Sequence, residues 1–372
     1  MKLLDITPYF HSRSGGIRRY LLEKAKFLKD IPSVEHVIVV PGKEERVYKI
    51  WNSKVYELPS FPIPKSGGYR FFTSLRKIKE IIKEEKPQVV ELGGTYQPIP
   101  QFKSDEYLLS VFYHADLVGD LSLLPLPSRI RLMLAERTIR KKLFFADLVI
   151  TPSKKYEDFL RSYGLERVKT INLGVDTEIF NPSRKDEEFL RSLGVKTDAF
   201  KVLYVGRLSP EKNISLLLEI AQSLDPALFH FVVVGDGALR KKVEKAQRRL
   251  KNLTYLGYIS ELTLLAKLYA SCDAFLSASF YETYGLSFLE AQACGCPVVA
   301  LDMGLESQPF KEFLVKELSV KAFKEALLKL YENQSNSLRE EISRYVRENF
   351  SWERTFKSLL ETYAELVLPA LV

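Results

Sequence analysis

The feature that most constrains the fold is an alternation of short apolar runs with amphipathic stretches, which starts at the N-terminus and starts again near the middle of the chain. Short apolar runs bounded by polar segments are typical of strands buried in a parallel sheet, and amphipathic stretches between them are typical of crossover helices. Because the pattern begins twice, the sequence predicts two Rossmann-like, doubly wound α/β domains.

Strands are predicted in both halves of the chain. In the first half they are Leu3–Ile6, His36–Val40, Val89–Leu92, Leu108–Tyr113, Leu148–Thr151 and Val168–Asn172. In the second half they are Lys201–Val205, His230–Val234, Leu253–Leu256, Ala274–Leu276 and Val298–Leu301. The predicted helices include Ile214–Leu224 and Leu239–Leu250. Two such domains predict a ligand cleft between them, at the carboxyl ends of the strands.

The predicted domain boundary lies between Gly174 and Phe200, where Asn181-Pro182-Ser183 interrupts the alternation. The last segment opens with Ser351, a good helix N-cap, and its apolar residues then recur at helical spacing. The predicted organisation is an N-terminal domain over 1–173, a linker over 174–199, a C-terminal domain over 200–350 and a terminal helix within 351–372.

Charge is distributed unevenly along the chain. Residues 1–170 hold 30 Lys and Arg against 20 Asp and Glu, whereas residues 171–372 hold 25 against 27. The positive first half favours an anionic partner, either nucleic acid or a membrane surface. No apolar run is long enough to span a bilayer, and the N-terminus does not resemble a secretory signal. The three cysteines lack the spacing of a disulfide framework, which predicts a reducing, cytoplasmic location.

The strongest motif runs from Glu282 to Glu290, between a predicted strand and a helix. Gly285 lets the backbone approach a ligand closely, and the N–H groups at a helix N-terminus attract an anion such as a diphosphate. The two carboxylates can accept hydrogen bonds from the hydroxyls of a sugar or ribose. Solvated glutamates on an ordinary helix are the alternative. The apolar residues that follow favour a buried helix–strand unit, and therefore a binding site.

A second motif, Tyr204 to Lys212, places Arg207 and Lys212 in a loop after a buried strand. Two cations beside Gly206 suit a diphosphate leaving group, because they neutralise the charge that develops as the glycosidic bond breaks. A surface loop with two ordinary charges is the alternative for this motif taken alone.

Three further sequence features are weaker indications of a binding site or of a turn. Gly15-Gly16, between the first strand and a helix, can hold a phosphate. His114 lies at the carboxyl end of a predicted strand, which favours a role in the site, although a histidine buried near the core explains the position equally well. Gly235-Asp236-Gly237 is predicted to be a structural turn.

Several motifs are absent from the sequence. It contains no dinucleotide-binding glycine fingerprint after the first strand, no P-loop and no Asp-x-Asp. It also contains no cluster of His, Cys and Asp at ligand spacing. The sequence therefore predicts neither a nucleotide cofactor nor a tightly held metal.

Together these motifs resemble glycosyltransferase family 4, whose members are retaining enzymes of the GT-B fold, with two domains facing across a cleft. The matching segments follow the family's order over nearly the whole chain: Gly15-Gly16, Ala146–Ser153, Gly174–Asp176, Gly206–Lys212, Gly235–Gly237 and Glu282–Val299. The resemblance implies an N-terminal domain that binds the acceptor and a C-terminal domain that binds the nucleotide-sugar donor. It also implies a terminal helix that crosses back to the first domain.

The resemblance also implies roles for individual residues. The predicted donor-binding set is Gly15, Gly16, Arg207, Lys212, Tyr258, Glu282, Tyr284, Gly285, Leu286 and Glu290. The predicted catalytic set is His114, Arg207, Lys212 and Glu282. In the family, the matches to Arg207 and Lys212 bind the diphosphate, and the match to Glu290 holds the ribose. The match to Glu282 lies near the donor sugar, and a histidine at the position of His114 lies beside the transferred sugar.

The family's usual mechanism is metal-independent displacement on one face of the sugar, in which a phosphate oxygen takes the acceptor's proton. The chain departs from the family after its Val298–Ala300 strand, where a Gly-Gly-x-x-Glu loop is replaced by the shorter segment Leu301–Phe310. In the family this segment contributes to the outer wall of the donor pocket. The departure therefore leaves open which sugar the pocket accepts.

Alternative functions follow from the same residues. One is a nucleotide-sugar epimerase or hydrolase on this fold, and another is a catalytically silent protein that binds sugar nucleotide. Nucleic-acid binding would use the basic first half, but no nucleic-acid module is recognisable.

A basic, apolar stretch, Ser128–Phe145, suggests a membrane surface as partner. Basic amphipathic helices lie in a bilayer interface through apolar burial and attraction to anionic lipid. A second basic stretch, Tyr69–Lys86, adds positive charge. The alternative is that the apolar face of Ser128–Phe145 packs on the N-terminal sheet. We expect peripheral association with the cytoplasmic membrane face and a lipid-linked or membrane-proximal glycan acceptor.

Overall fold

A computed structural model describes residues 1–10, 15–62, 70–95, 97–114, 119, 121 and 126–367, and every structural statement below concerns these residues. They form two compact units. The first consists of the described residues within Met1–Leu173 and Trp352–Val372, and the second is Gly174–Ser351.

The elements of the first unit follow the chain in this order: β1 Lys2–Ile6, α1 Gly16–Leu28, β2 Glu35–Gly42, β3 Arg46–Ile50, β4 Ser53–Pro62, β5 Arg70–Phe72, α2 Leu75–Glu85, β6 Val89–Gly93, β7 Leu108–Phe112, α3 Ser128–Lys142, β8 Leu148–Thr151, α4 Lys154–Ser162 and β9 Val168–Thr170. The strands form a sheet in the order β3-β4-β2-β1-β6-β7-β8-β9, with β5 paired to β4. Only the pairings of β3 and β5 with β4 are antiparallel among the described strand pairs.

The second unit contains α5 Glu187–Ser192, β10 Phe200–Val205, α6 Ile214–Ser223, β11 Phe229–Val234, α7 Arg240–Gln247, β12 Leu253–Gly257, α8 Leu262–Ser271, β13 Ala274–Ser277, α9 Leu286–Ala293, β14 Val298–Ala300, α10 Val320–Asn333 and α11 Asn336–Asn349. Its sheet has the order β12-β11-β10-β13-β14, and every pair is parallel. The chain then forms α12, Trp352–Val367, which belongs to the first unit.

Helix α12 packs in the first unit through its apolar face. Phe356 is fully buried, stacks on Trp352 and lies 5.5 Å from the ring of Tyr20 on α1. The hydroxyl of Tyr363 donates to Glu91 on β6 and lies 3.1 Å from Ser110 on β7. Apolar burial and buried hydrogen bonds both stabilise this packing.

A buried charged cluster lies beneath α1 and α12. The ammonium of Lys24 is 2.8 Å from Asp5 Oδ1 and 3.0 Å from Glu91 Oε2. His36 Nε2 is 2.6 Å from the other oxygen of Asp5. Opposite charges compensate each other here, because buried charges are tolerated only when they are paired and hydrogen-bonded.

The predicted α/β class is confirmed, and both sheets are parallel apart from the pairings of β3 and β5 with β4. Each predicted strand lies within a residue or two of an observed one. Three strands, β3, β4 and β5, were not predicted. Residues 174–199, predicted as a linker, lie within the second unit, where the side chain of Asp186 caps α5 and pairs with Lys267 of α8 at 2.8 Å.

Candidate functional site

Most of the predicted donor-binding residues meet at the carboxyl edge of the second sheet. Arg207 and Lys212 follow β10, Glu282 follows β13, and Glu290 lies on α9, the helix that comes next. Strands β10 and β13 are neighbours and parallel, so their carboxyl ends lie side by side. The sheet topology therefore brings together residues that are far apart in sequence.

Lys212 and Glu282 form an ion pair between Nζ and Oε1. Both side chains are mostly buried, with 17% and 15% of their surfaces exposed. The hydroxyl of Ser279, which is fully buried, donates to the same glutamate oxygen at 3.1 Å and lies 3.0 Å from Ser277 Oγ. The carboxylate of Glu282 is therefore held in place from two sides.

Arg207 is the more exposed cation of the site. Its guanidinium lies 3.1 Å from Glu211 Oε1, which also accepts a hydrogen bond from Ser209 at 2.5 Å. The backbone oxygen of Glu211 accepts from the N–H of Phe280 at 3.0 Å. Glu211 thus orients the arginine and also joins the loop after β10 to the loop after β13.

The turn Gly235–Gly237 lies directly against the cationic loop. A Cβ at Gly235 would stand 1.8 Å from the backbone oxygen of Gly206, and one at Gly237 would stand 2.6 Å from that of Leu208. The φ angles of both glycines are also positive. This turn, predicted to be structural, requires glycine because two backbone segments approach so closely.

Helix α9 begins at the predicted diphosphate position. Gly285 precedes it with φ near +80°, and Leu286 is its first residue. One turn later, Glu290 accepts a hydrogen bond at 3.2 Å from the hydroxyl of Tyr269, a fully buried residue of α8. The helix thus presents both its N-terminal N–H groups and an oriented carboxylate.

Two further predicted donor residues differ in exposure. Tyr284 is buried, and its backbone oxygen accepts from the hydroxyl of Ser307, so this residue offers a ligand little side-chain surface. Tyr258 follows β12 and is 47% exposed.

The shortened segment after Leu301 packs closely within the second unit. Gln308 donates to Leu301 O at 2.7 Å, and Gln292 of α9 donates to Ser307 O at 2.8 Å.

In the first unit, His114 follows β7 at the carboxyl edge of the sheet. Its ring packs edge-on against Tyr9 with centroids 5.3 Å apart, and it is hydrogen-bonded to the backbone of Gly93. Burial lowers the pKa of His114 to about 4, so its imidazole is neutral near pH 7. Gly94 is required beside it, because a Cβ there would lie 2.7 Å from His114 Nε2.

Gly15 and Gly16 lie at the start of α1 and are exposed. A Cβ at Gly15 would meet no atom within 4 Å, so no steric contact among the described residues requires glycine there. Residues 11–14, which precede this loop, lie outside the described residues, as do Ala115 and Asp116 after His114.

Sequence reasoning missed the residues that orient the site. Ser279, Glu211 and Tyr269 each hold a predicted site residue, and Gln97 joins the ends of β1 and β6 through hydrogen bonds to Ile6 O and Gly93 O. The available signal was position: Glu211 directly precedes Lys212, and Ser279 lies three residues before Glu282. Nothing in the sequence pairs Tyr269 with Glu290.

Within the described ranges, no group of three or more His, Cys, Asp or Glu is arranged to hold a metal ion.

Comparison with known proteins identifies the family. The sequence model described as "Glycosyl transferases group 1" matches residues 185–349, and the one described as "Glycosyltransferase Family 4" matches residues 14–179. A GDP-mannose-dependent alpha-(1-6)-phosphatidylinositol dimannoside mannosyltransferase of Mycobacterium tuberculosis is 25% identical over 305 residues, which cover 80% of this chain and 79% of that protein.

Two more proteins extend the similarity over the full length. An uncharacterised glycosyltransferase of Methanocaldococcus jannaschii is 26% identical over 385 aligned positions, covering 98% of this chain and 99% of that one. The structure of a sucrose-phosphate synthase from Thermosynechococcus elongatus matches with a TM-score of 0.79 and 19% identity, over 99% of this chain and 100% of that one. The last likeness confirms the GT-B fold. By its two matched segments and its fold, the chain belongs to the group 1, family 4 glycosyltransferases.

Proposed function

We propose that the protein is a retaining hexosyltransferase, which moves a hexose from a nucleoside-diphosphate sugar to a hydroxyl of a glycan or lipid-linked acceptor. The observation that carries this proposal is the pairing of Lys212 with Glu282 beside Arg207 and the N-terminus of α9. Such a site offers cations and backbone N–H groups for a diphosphate, and carboxylates for sugar hydroxyls.

In this proposal, different residues bind different parts of the donor. Arg207 and Lys212 neutralise the diphosphate, and the N–H groups of Gly285 and Leu286 bind its oxygens. Glu290 holds the ribose and Glu282 the transferred sugar. Among donors, GDP-mannose is the first to test, because the M. tuberculosis relative is described as GDP-mannose-dependent; UDP-sugars are the alternative.

In the proposed reaction, the bond between the anomeric carbon and the diphosphate oxygen breaks while the acceptor oxygen bonds to the same carbon from the same face. The acceptor's proton passes to an oxygen of the departing diphosphate. Arg207 and Lys212 stabilise the negative charge that grows on this group. His114, neutral near pH 7, donates or accepts a hydrogen bond at the sugar without titrating. No step of the proposed reaction uses a metal ion.

We also propose that the protein acts at the cytoplasmic membrane face, bound peripherally through α3. Three apolar side chains in the first half of this helix are exposed, Ile130, Leu132 and Met133, as are Phe144 and Phe145 just after it. Only Ala135 and Ile139 of α3 are buried, so its apolar residues are not all used in packing on the sheet.

Exposed cations accompany these apolar residues on α3: Arg129, Arg137, Arg140 and Lys141. An apolar surface mixed with positive charge suits an anionic lipid headgroup region. No helix in the described ranges combines the length and apolar character that crossing a bilayer requires. The expected result is co-sedimentation with anionic vesicles that weakens as salt rises. A protein that stays in solution with anionic vesicles at low salt would contradict this part of the proposal.

The transfer itself is tested in two steps. A thermal-shift panel with GDP, UDP and ADP identifies the nucleotide, since a ligand raises apparent stability by mass action. Nucleotide release from the matching sugar donor is then followed with and without membrane-lipid extract. Release that requires the extract, with the sugar recovered on lipid or glycan, supports transfer.

Other outcomes would support the alternatives. Free sugar released without an acceptor indicates a hydrolase, and an isomerised donor indicates an epimerase. Binding of a nucleotide without turnover of any donor indicates a silent sugar-nucleotide-binding protein. A gel shift with nucleic acid at physiological salt would support nucleic-acid binding as the function.

A further inference from the structure

Two phenylalanines in the first unit are exposed although they lie on ordered strands. Phe61 on β4 is 66% exposed and Phe71 on β5 is 59% exposed. They stand directly opposite each other in the antiparallel pairing of the two strands. Directly opposed residues share one face of a sheet, so the two rings lie side by side.

The phenylalanines lie on a ribbon that we call the β4–β5 ribbon, formed by Ser60–Pro62 and Arg70–Phe72. Strand β4 pairs with β2 only as far as Pro59, opposite Gly42. The ribbon therefore extends past the carboxyl end of β2, at the sheet edge where His114 also lies.

The opposite face of the ribbon is fixed to the rest of the unit. Arg70 donates to the hydroxyl and the backbone oxygen of Ser60, at 2.7 and 2.6 Å. Ser60 donates in turn to Gly42 O at 2.6 Å, and Thr73 donates to Pro59 O. The ribbon is thus held in place on one face, while the other face presents two apolar rings to solvent.

The chemistry of the ribbon favours lipid as the occupant. Phe has no polar atom, so neither ring can hydrogen-bond a sugar or a polar protein surface, whereas both gain from leaving water for an apolar phase. Helix α2 follows the ribbon and exposes three cations, Arg76, Lys79 and Lys83, and Lys86 at its C-terminal end is a fourth. Two exposed acids, Glu80 and Glu84, accompany them, so the exposed charge is net positive. The cations suit anionic headgroups beside the apolar contact. The same unit contains the apolar, basic surface of α3.

We propose that Phe61 and Phe71 insert into the interfacial region of an anionic bilayer, and form a second membrane contact at the carboxyl edge of the first sheet. This inference rests on the proposed peripheral membrane association. It goes further, because it places the lipid surface at the edge from which a lipid-linked acceptor would have to reach His114.

A tryptophan at position 61 reports the contact directly. The variant is Phe61→Trp in a Trp51→Phe background, which leaves the buried Trp352 as the other indole. Its emission should shift to the blue, and become less accessible to an aqueous quencher, on adding vesicles of phosphatidylcholine and phosphatidylglycerol. The Trp51→Phe protein should show no such change.

Binding strength gives the second measurement. In Phe61→Ser/Phe71→Ser, the lipid concentration for half-maximal co-sedimentation should rise about tenfold or more, since burying apolar side chains contributes to interfacial binding. Val47→Ser/Leu228→Ser, which removes apolar side chains that are 56% and 42% exposed, is the matched control and should bind like wild type. Circular dichroism and thermal unfolding verify that both variants fold.

Several outcomes would overturn the inference. Unchanged emission while the wild-type protein still sediments with vesicles removes the ribbon contact but leaves the α3 proposal intact. A shift with soluble mannose oligosaccharides and none with vesicles makes the pair a sugar-binding surface instead. Loss of a concentration-dependent dimer in the double serine variant makes it a self-association surface. Sugar transfer is assayed separately by nucleotide release, so none of these results bears on it.

Discussion

Lys212 and Glu282 form an ion pair although 70 positions separate them in the sequence. Each belongs to a loop at the carboxyl edge of the second sheet, and each is proposed to bind a different part of the donor. A diphosphate that reaches Lys212 must therefore share or replace the carboxylate of Glu282. The pair links recognition of the phosphates to recognition of the sugar.

We expect Lys212→Ala and Arg207→Ala each to lower turnover about 10²-fold or more, because each removes a preorganised charge from the leaving group. Lys251→Ala, an exposed lysine outside the candidate site, is the control and should keep wild-type turnover. Initial rates of nucleotide release at saturating donor measure the effect. Unchanged turnover in either site variant would remove that residue from the assigned machinery.

Activity should survive excess EDTA. The sequence contains no Asp-x-Asp, and the proposed site neutralises the diphosphate with Arg207 and Lys212 instead of a metal ion. The measurement compares nucleotide release before and after dialysis against chelator. Complete loss, reversed by Mg²⁺ or Mn²⁺, would contradict a site that works without metal.

Gly235→Ala should destabilise the second unit by more than about 2 kcal/mol, because its Cβ would overlap the backbone oxygen of Gly206. Gly194→Ala is the matched control: its φ is also positive, +77°, but a Cβ there meets no atom within 4 Å. We expect a cost of roughly 1 kcal/mol for the control, from backbone strain alone. Urea unfolding of both variants, and their affinity for the preferred nucleotide, test the difference.

His114 should make stability depend on pH. Its pKa in the folded protein is about 4, against an ordinary 6.5, because burial disfavours the charged ring. Between these values the unfolded chain takes up a proton that the folded one resists, so the contribution to stability is present above pH 6.5 and is lost as pH falls towards 4. Burial also lowers the pKa values of His36 and His230. The test is therefore a difference between two proteins: wild type should lose more free energy of unfolding between pH 7 and 4.5 than His114→Gln does.

Lys24→Met should cost about 3–5 kcal/mol, since it leaves the buried carboxylates of Asp5 and Glu91 without their shared cation. Tyr363→Phe removes one hydroxyl from the same cluster and should cost about 1–2 kcal/mol. Lys29→Met, at a lysine whose side chain is 39% exposed, should change stability by less than about 0.5 kcal/mol. Equal stabilities of Lys24→Met and wild type would show that the cluster does not need its lysine.

The parts of the fold that could be predicted are those with a repeated, buried pattern. Strands such as β11, Phe229–Val234, are apolar on both faces because helices cover both sides of a parallel sheet. Strand β3, Arg46–Ile50, has four exposed residues and pairs with only one neighbour, so it shows no apolar run. The exposed rings of Phe61 and Phe71 likewise give no burial pattern that marks a strand.

The positions of the candidate site residues in the fold were predictable to a similar degree. Residues that follow buried strands, such as Arg207 and Glu282, could be located because the carboxyl ends of parallel strands mark ligand sites. Their partners could not, since the contact of Tyr269 with Glu290 depends on how α8 packs on α9. Helix α3 illustrates the same limit: its sequence allowed either packing or membrane contact, and only tertiary structure separates buried Ile139 from exposed Met133.

The placement of α12 in the first unit has a consequence for biosynthesis. The second unit is one continuous stretch, Gly174–Ser351, so it can finish folding as soon as that stretch has left the ribosome. The first unit is translated earlier but lacks Phe356 and Tyr363 until α12 emerges, and until then part of its apolar sheet face and the carboxylate of Glu91 are uncovered. The unit made first is therefore completed last, and a nascent chain halted before α12 should depend on chaperones through its N-terminal half.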